Sequence, residues 1–371
     1  MLSLPLTKLA RVLVHYCLDV EKGDLFVIRA TPVATPLVTE VYRAALEAGA
    51  YPAVNLALPR MQEAFYQLAG RHQLDFVSPV AAFEMEKLDK VLTIRAAENT
   101  KSLTNADPKK QAAAGKASGG LSRRLQERAA KGDARWCLTQ FPCSASAQDA
   151  EMSLEEYEDF VFRACLVHLD DPGAAWKALH KRQAKLCTFL GNRKTIRVVK
   201  GDTDITVNVA GRTWINSDGR TNMPSGEIYT GPVEDSVEGT VAFTFPAVRE
   251  GREVHGVRLT FEKGRVVKAS ATKGEDYLHA MLGTDEGARR LGEFAFGTND
   301  SVQRFTKNTL FDEKIGGTIH MALGAAYPKS GGLNKSSIHW DMILDMRDGG
   351  EVHADGKVIY RKGTFTHEGA K

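Results

Sequence analysis

The sequence predicts an α/β fold in two domains: an N-terminal open α/β domain with a mostly parallel sheet (residues 1–192), and an antiparallel-sheet-rich α+β domain (residues 193–371). In the first part, helix-spaced apolar positions alternate with short apolar runs, which is the rhythm of βαβ units. From about Thr195 that rhythm gives way to strands of alternating apolar and polar residues joined by turns too short to hold a helix. Gly191-Asn192 lies between the two patterns and marks the boundary.

Leu6, Leu9, Ala10, Leu13 and Cys17 recur at helical spacing, and Gly23-Asp24 then turns the chain into the apolar strand Leu25-Phe26-Val27-Ile28. Thr35-Pro36 opens a helix that Gly49 closes, because proline suits the first helical turn and glycine the residue past the last. Tyr51 to Leu56 and Val91 to Ile94 follow as strands. Between Asp107 and Arg135 the composition shifts to Lys, Arg, Ala, Gly and Ser. No aromatics interleave with the charges, and Glu127 and Asp133 dilute them, so a solvated helix and loop are expected rather than a nucleic-acid surface. Ser153-Leu154-Glu155-Glu156 is a capping box that starts a helix, and Ala174 to Leu190 reads as another. Ile196–Val199 and Ile205–Val209 form a hairpin around Lys200-Gly201-Asp202, and Val257–Phe261 and Arg265–Ala269 form one around Lys263-Gly264.

Composition narrows the function. Lys and Arg total 49 against 46 acidic residues, a net charge of +3, so global charge draws the chain neither to nucleic acid nor to a membrane. The start lacks the basic and apolar regions of a secretory leader, and no apolar run approaches the roughly 18 residues of a membrane span; a cytoplasmic location is expected. The five cysteines are scattered without C-x-x-C spacing, as reduced structural thiols would be. Neither G-x-G-x-x-G nor a phosphate-cradling loop follows any strand of the first domain. A G-x-S-x-G nucleophile elbow and the zinc-protease motif H-E-x-x-H are also missing.

What remains is a set of carboxylates and imidazoles in the last third. His339 and Asp341 lie at i and i+2 in the apolar run Ile338 to Leu344, so on a strand they project from one face. Glu293 is an acid among apolar neighbours in Leu291-Gly292-Glu293-Phe294-Ala295-Phe296-Gly297, and a carboxylate buried there must be paired, protonated or metal-bound. Glu227 follows Pro224-Ser225-Gly226, which is expected to present it on a loop, and His320 follows the Gly316-Gly317 pair. Each has an ordinary alternative, an idle surface glutamate or a hydrogen-bonded core histidine. Together, within one domain, they point to a metal site.

Gly219-Arg220-Thr221-Asn222-Met223-Pro224-Ser225-Gly226-Glu227, the segments around Glu293 and from Leu310 to His320, and Ile338-His339-Trp340-Asp341 carry a resemblance. Over nearly the whole chain the sequence resembles the thermophilic-type metallo-aminopeptidases, the aminopeptidase T and PepS-like family. The resemblance implies a pair of divalent ions (zinc, cobalt, manganese or magnesium) held by Glu227, Glu293, His320, His339 and Asp341, with Tyr327 close by. It further implies a homodimer, and short peptides with a free N-terminus as substrates. On that footing Glu293 is expected to bridge the ions and Tyr327 to bond the oxyanion; Glu313, by its nearness in sequence to His320 alone, is a candidate general base. The competing expectation is a non-catalytic α/β binding protein whose metal site is structural.

Overall fold

Strands β1 (Leu25–Ala30), β2 (Tyr51–Leu56), β3 (Lys90–Arg95) and β4 (Arg135–Gln140) pair in the order β2-β1-β3-β4, all parallel. The structure, a computed structural model, describes residues 3–249 and 251–366. Met1 and Leu2, where the reading for a leader begins, and residues 367–371 lie outside the described residues. Phe26, Ile28 and Leu92 are buried in the middle of this sheet, as apolar runs covered on both faces should be. The helix Thr35–Glu47 opens on Pro36 and buries Leu37, Val38, Val41, Ala44 and Ala45. The basic stretch forms the helix Pro108–Lys131, capped where the Asp107 side chain accepts the Lys109 N–H; it buries none of its residues, in keeping with the solvated reading.

The chain divides into two compact units. The first runs to Gly173 and takes in Gly219–Pro224, whose short strand Asn222–Met223 pairs parallel with β4. The second comprises Ala174–Asp218 and the chain from Ser225 onward. The helix Pro172–Gly191 therefore falls almost wholly in the second unit, whereas the boundary read from sequence lies at its far end.

In the second unit both expected hairpins form. Lys200 pairs with Thr203 and Glu262 with Arg265, so each turn is the residue pair between. These strands join a long antiparallel sheet with Glu238–Ala242 and the C-terminal strands from Glu351 onward. A further antiparallel sheet is built from β5 (Ile215–Ser217), β6 (Glu227–Thr230), β7 (Leu291–Gly297), β8 (Thr318–Gly324) and β9 (His339–Asp345), in the order β9-β8-β7-β6-β5. The two sheets share an apolar core. Ile228, Phe294, Phe296, Ile319, Met321, Leu323, Trp340, Met342 and Leu344 enter it from β6 to β9, against Ile196, Val198, Ile205, Val207 and Leu259 of the long sheet.

Candidate metal centre

Strand alternation assigns the other face of the β9-to-β5 sheet to the residues between those core side chains. They are Glu227 and Tyr229 on β6, Glu293, Ala295 and Gly297 on β7, His320 and Ala322 on β8, and His339 and Asp341 on β9. Alternation alone would fail on β7, because Leu291 and Phe294 both face the core across an odd interval. A β-bulge at Gly292 supplies the extra residue. A side chain there would lie 2.3 Å from the Ala325 carbonyl oxygen, so only glycine fits.

The pairing register explains how polar groups find room in a buried sheet. Ala322 lies between Asp341 and Glu293 on adjacent strands, Ala295 between His320 and Tyr229, Gly297 opposite Glu227, and Gly324 opposite His339. Every long functional side chain thus has a residue of one carbon or none beside it.

The five expected ligands converge. His320 Nε2 lies 3.1 Å from Glu293 Oε1 and 3.2 Å from Glu227 Oε2, and His339 Nε2 lies 3.6 Å from Glu293 Oε2 and 3.4 Å from Asp341 Oδ1. Glu293, His320 and Asp341 can bring one ligand atom each within 4.8 Å of one another, and so can Glu227, Glu313 and His320. Glu313, the candidate for general base, is therefore brought to the site. Glu227 corrects one expectation: it is the buried first residue of β6 and does not sit on a loop, because the Pro224-Ser225-Gly226 turn has ended before it. Tyr327 sits at the edge, 46 % exposed, its ring 5.1 Å from that of His339 and 5.3 Å from that of Tyr229.

Two participants went unread in the sequence. Tyr229 could have been found by the i, i+2 argument already applied to His339 and Asp341. Lys314 carries no periodic signal, yet it is fully buried, with Nζ 3.0 Å from Glu227 Oε1 and in contact with Glu313.

Charge compensation follows from this packing. Burial would lower the His339 pKa, but Asp341 and then Glu293 outweigh it and push it up to about 10. His320 is raised likewise, against burial, by Glu227 and Glu293. Burial pushes Glu293 up, and Glu313 up to about 8. Glu227, against the same burial, is held below its ordinary value by Lys314 and then His320. The carboxylates are thus crowded enough to draw protons onto the imidazoles, which is the environment a divalent cation relieves.

The donor set fits such a cation. The His339 ring donates from Nδ1 to the Ala325 carbonyl at 2.8 Å, so once Nε2 gives up its proton to make way for a cation, its lone pair faces the carboxylates. Glu227 Oε2 and Asp341 Oδ1 are buried with no well-formed hydrogen bond among the described residues, only the His320 and His339 rings at 3.2 and 3.4 Å, which leaves lone pairs for an ion to take up. Imidazole nitrogens with carboxylate oxygens suit zinc and its divalent neighbours.

A family model described as thermophilic metalloprotease (M29) matches residues 3–365. The chain belongs to the M29 family. Aminopeptidase 2 of Geobacillus stearothermophilus is 30% identical over 98% of both chains. Wild-type AmpT from Thermus thermophilus superposes with a TM-score of 0.85 at 26% identity, covering 98% of this chain and 99% of that one. M29 membership makes this chain a metal-dependent hydrolase. The 2,5-dihydroxypyridine dioxygenase of Pseudomonas putida KT2440 shares the fold at 14% identity and a TM-score of 0.60 over 99% of this chain and 98% of its own. Its likeness concerns fold alone.

Proposed function

We propose that this M29 protein is an aminopeptidase that removes N-terminal residues from short peptides, with two divalent ions held by Glu227, Glu293, His320, His339 and Asp341. The observation that carries the pair is Glu293: its two oxygens face different imidazoles, at 3.1 and 3.6 Å, as a bridging carboxylate's would. When bound, such ions lower the pKa of a coordinated water toward about 7 and polarise the scissile carbonyl.

The chain's own groups do the rest. Glu313 lies within reach of Glu227 and His320, and its raised pKa suits a group that takes a proton from the attacking water and returns it to the leaving amine. The acidic surroundings favour a substrate ammonium, which selects free N-termini. Tyr327 is half exposed as a residue, but its phenol, packed on the site side, is kept protonated by burial and then by Glu293, ready to donate to the oxyanion. Tyr327→Phe should lower kcat about 10²- to 10³-fold with metal content intact; a wild-type kcat would refute the role.

The test of the whole reading starts from chelator-stripped protein. Zinc, cobalt, manganese or magnesium is returned singly, and hydrolysis of leucyl-p-nitroanilide is followed beside that of its N-acetylated counterpart. Cleavage restored by metal for the free amine alone is the expected result, with about two equivalents bound. Metal uptake without cleavage of any unblocked peptide would replace the reading with a structural site.

We also infer a cytoplasmic homodimer. None of the described cysteines is in a disulfide, as in a reducing compartment. The segment Tyr51 to Phe83 exposes Tyr51, Leu56, Met61, Leu68, Phe76 and Phe83, an apolar density that a partner subunit would cover. Sedimentation velocity should give twice the mass of the 371-residue chain; a monomer at micromolar concentration would sink the dimer.

A further inference from the structure

Lys314 is a charged side chain with no access to solvent, placed where the family assignment alone gives it no task. Its backbone is fixed at both ends: its N–H donates to the Phe311 carbonyl at 2.9 Å, and its carbonyl accepts from the Asn299 N–H at 3.1 Å. From that anchor Nζ reaches Glu227 Oε1 at 3.0 Å and also contacts Glu313. The two oxygens of Glu227 consequently differ. Oε1 is held by the ammonium, while Oε2 points toward His320 Nε2 at 3.2 Å and has no hydrogen-bond partner among the described residues.

We infer that Lys314 is a positioning residue that divides the labour of Glu227, fixing Oε1 so that Oε2 alone is presented beside His320 to the metal. This rests on the metal-site reading above. The geometry argues against a mere counter-charge. A counter-charge could sit anywhere near the acids, whereas this one, held by a pinned backbone and by Glu313, reaches Glu227 through Oε1 and leaves Oε2 to the site. A carboxylate free to rotate in that space would offer both oxygens to a cation, changing the coordination number and with it the water that the site activates.

The two roles give opposite signs on removal. A counter-charge repels the incoming cation, so losing it strengthens metal binding. A clamp orders a ligand, so losing it weakens binding by about 10- to 100-fold, as removal of partners around a metal ligand generally does.

The experiment titrates chelator-stripped wild-type protein and Lys314→Met with Co(II), reading affinity by calorimetry and coordination from the visible absorption of the bound cobalt. Weaker binding with lower absorbance per bound cobalt, the mark of a higher coordination number, is expected. Unchanged or tighter binding, or a wild-type cobalt spectrum, overturns the inference. If Lys314→Met does not fold, the same comparison is made between Glu313→Gln and Glu313→Gln/Lys314→Met, in which the buried ammonium is removed with one acid already neutral. The sign of the change decides in the same way. Wild-type protein that takes up no cobalt would instead refute the metal-site reading itself, so the two failures are distinguishable.

Discussion

Glu293→Gln should leave a folded protein that holds no metal and turns over no peptide. The change is nearly isosteric and removes charge from a buried carboxyl already pushed toward its neutral form by burial, so β7 has no reason to unfold. What disappears is the carboxyl whose two oxygens face His320 and His339 and that a cation would ionise. An amide offers one weak acceptor and turns two N–H donors toward groups that must stay free for a cation. We expect kcat/KM to fall by at least about 10³, equivalent to about 4 kcal/mol of transition-state stabilisation. Metal content by atomic emission should fall with it. Turnover within tenfold of wild type, or two retained metal equivalents, would refute the proposed bridging role of Glu293.

The second large effect needs no change to any ligand. Gly324 ends β8 opposite His339 with φ +102°, and a Cβ there would come 2.1 Å from the Ile338 carbonyl oxygen. Gly324→Ala therefore combines left-handed strain of about 1–3 kcal/mol with a clash against backbone that has no rotamer by which to yield. The clash falls on the residue just before His339. A stability loss of about 3 kcal/mol or more is expected, read as a lower midpoint for the second unit in urea, together with weaker metal retention. Gly349→Ala is the control. Its φ of +82° carries similar strain, but nothing lies within 4 Å of the added carbon. Equal midpoints for the two variants would show that the approach of Ile338 to Gly324 does not matter.

Much of this was legible in the sequence because it depends on short-range periodicity. The hairpins at Lys200 and Lys263 are written in alternation and two-residue turns, and the shared face of His339 and Asp341 follows from a period of two. What depends on pairing between distant strands was not legible. Nothing local states that Ala322 will lie between Glu293 and Asp341, or that Gly219–Pro224 will return to the first unit's sheet. Lys314 was missed for a related reason. A lysine beside an acid in Asp312-Glu313-Lys314 reads as surface, and its burial becomes sensible only once Glu227, far away in sequence, lies against it.

The strict division of β6 to β9 into a core face and a site face has an evolutionary consequence. Residues such as Phe294, Ile319 and Trp340 carry the stability of the sheet, while their immediate neighbours Glu293, His320 and Asp341 carry its chemistry. Selection can therefore exchange the reactive side chains of these strands, provided the small residues beside them stay small, while the core letters keep the protein folded. A sheet organised in this way separates the letters that answer to stability from those that answer to chemistry, so a change in one set need not disturb the other.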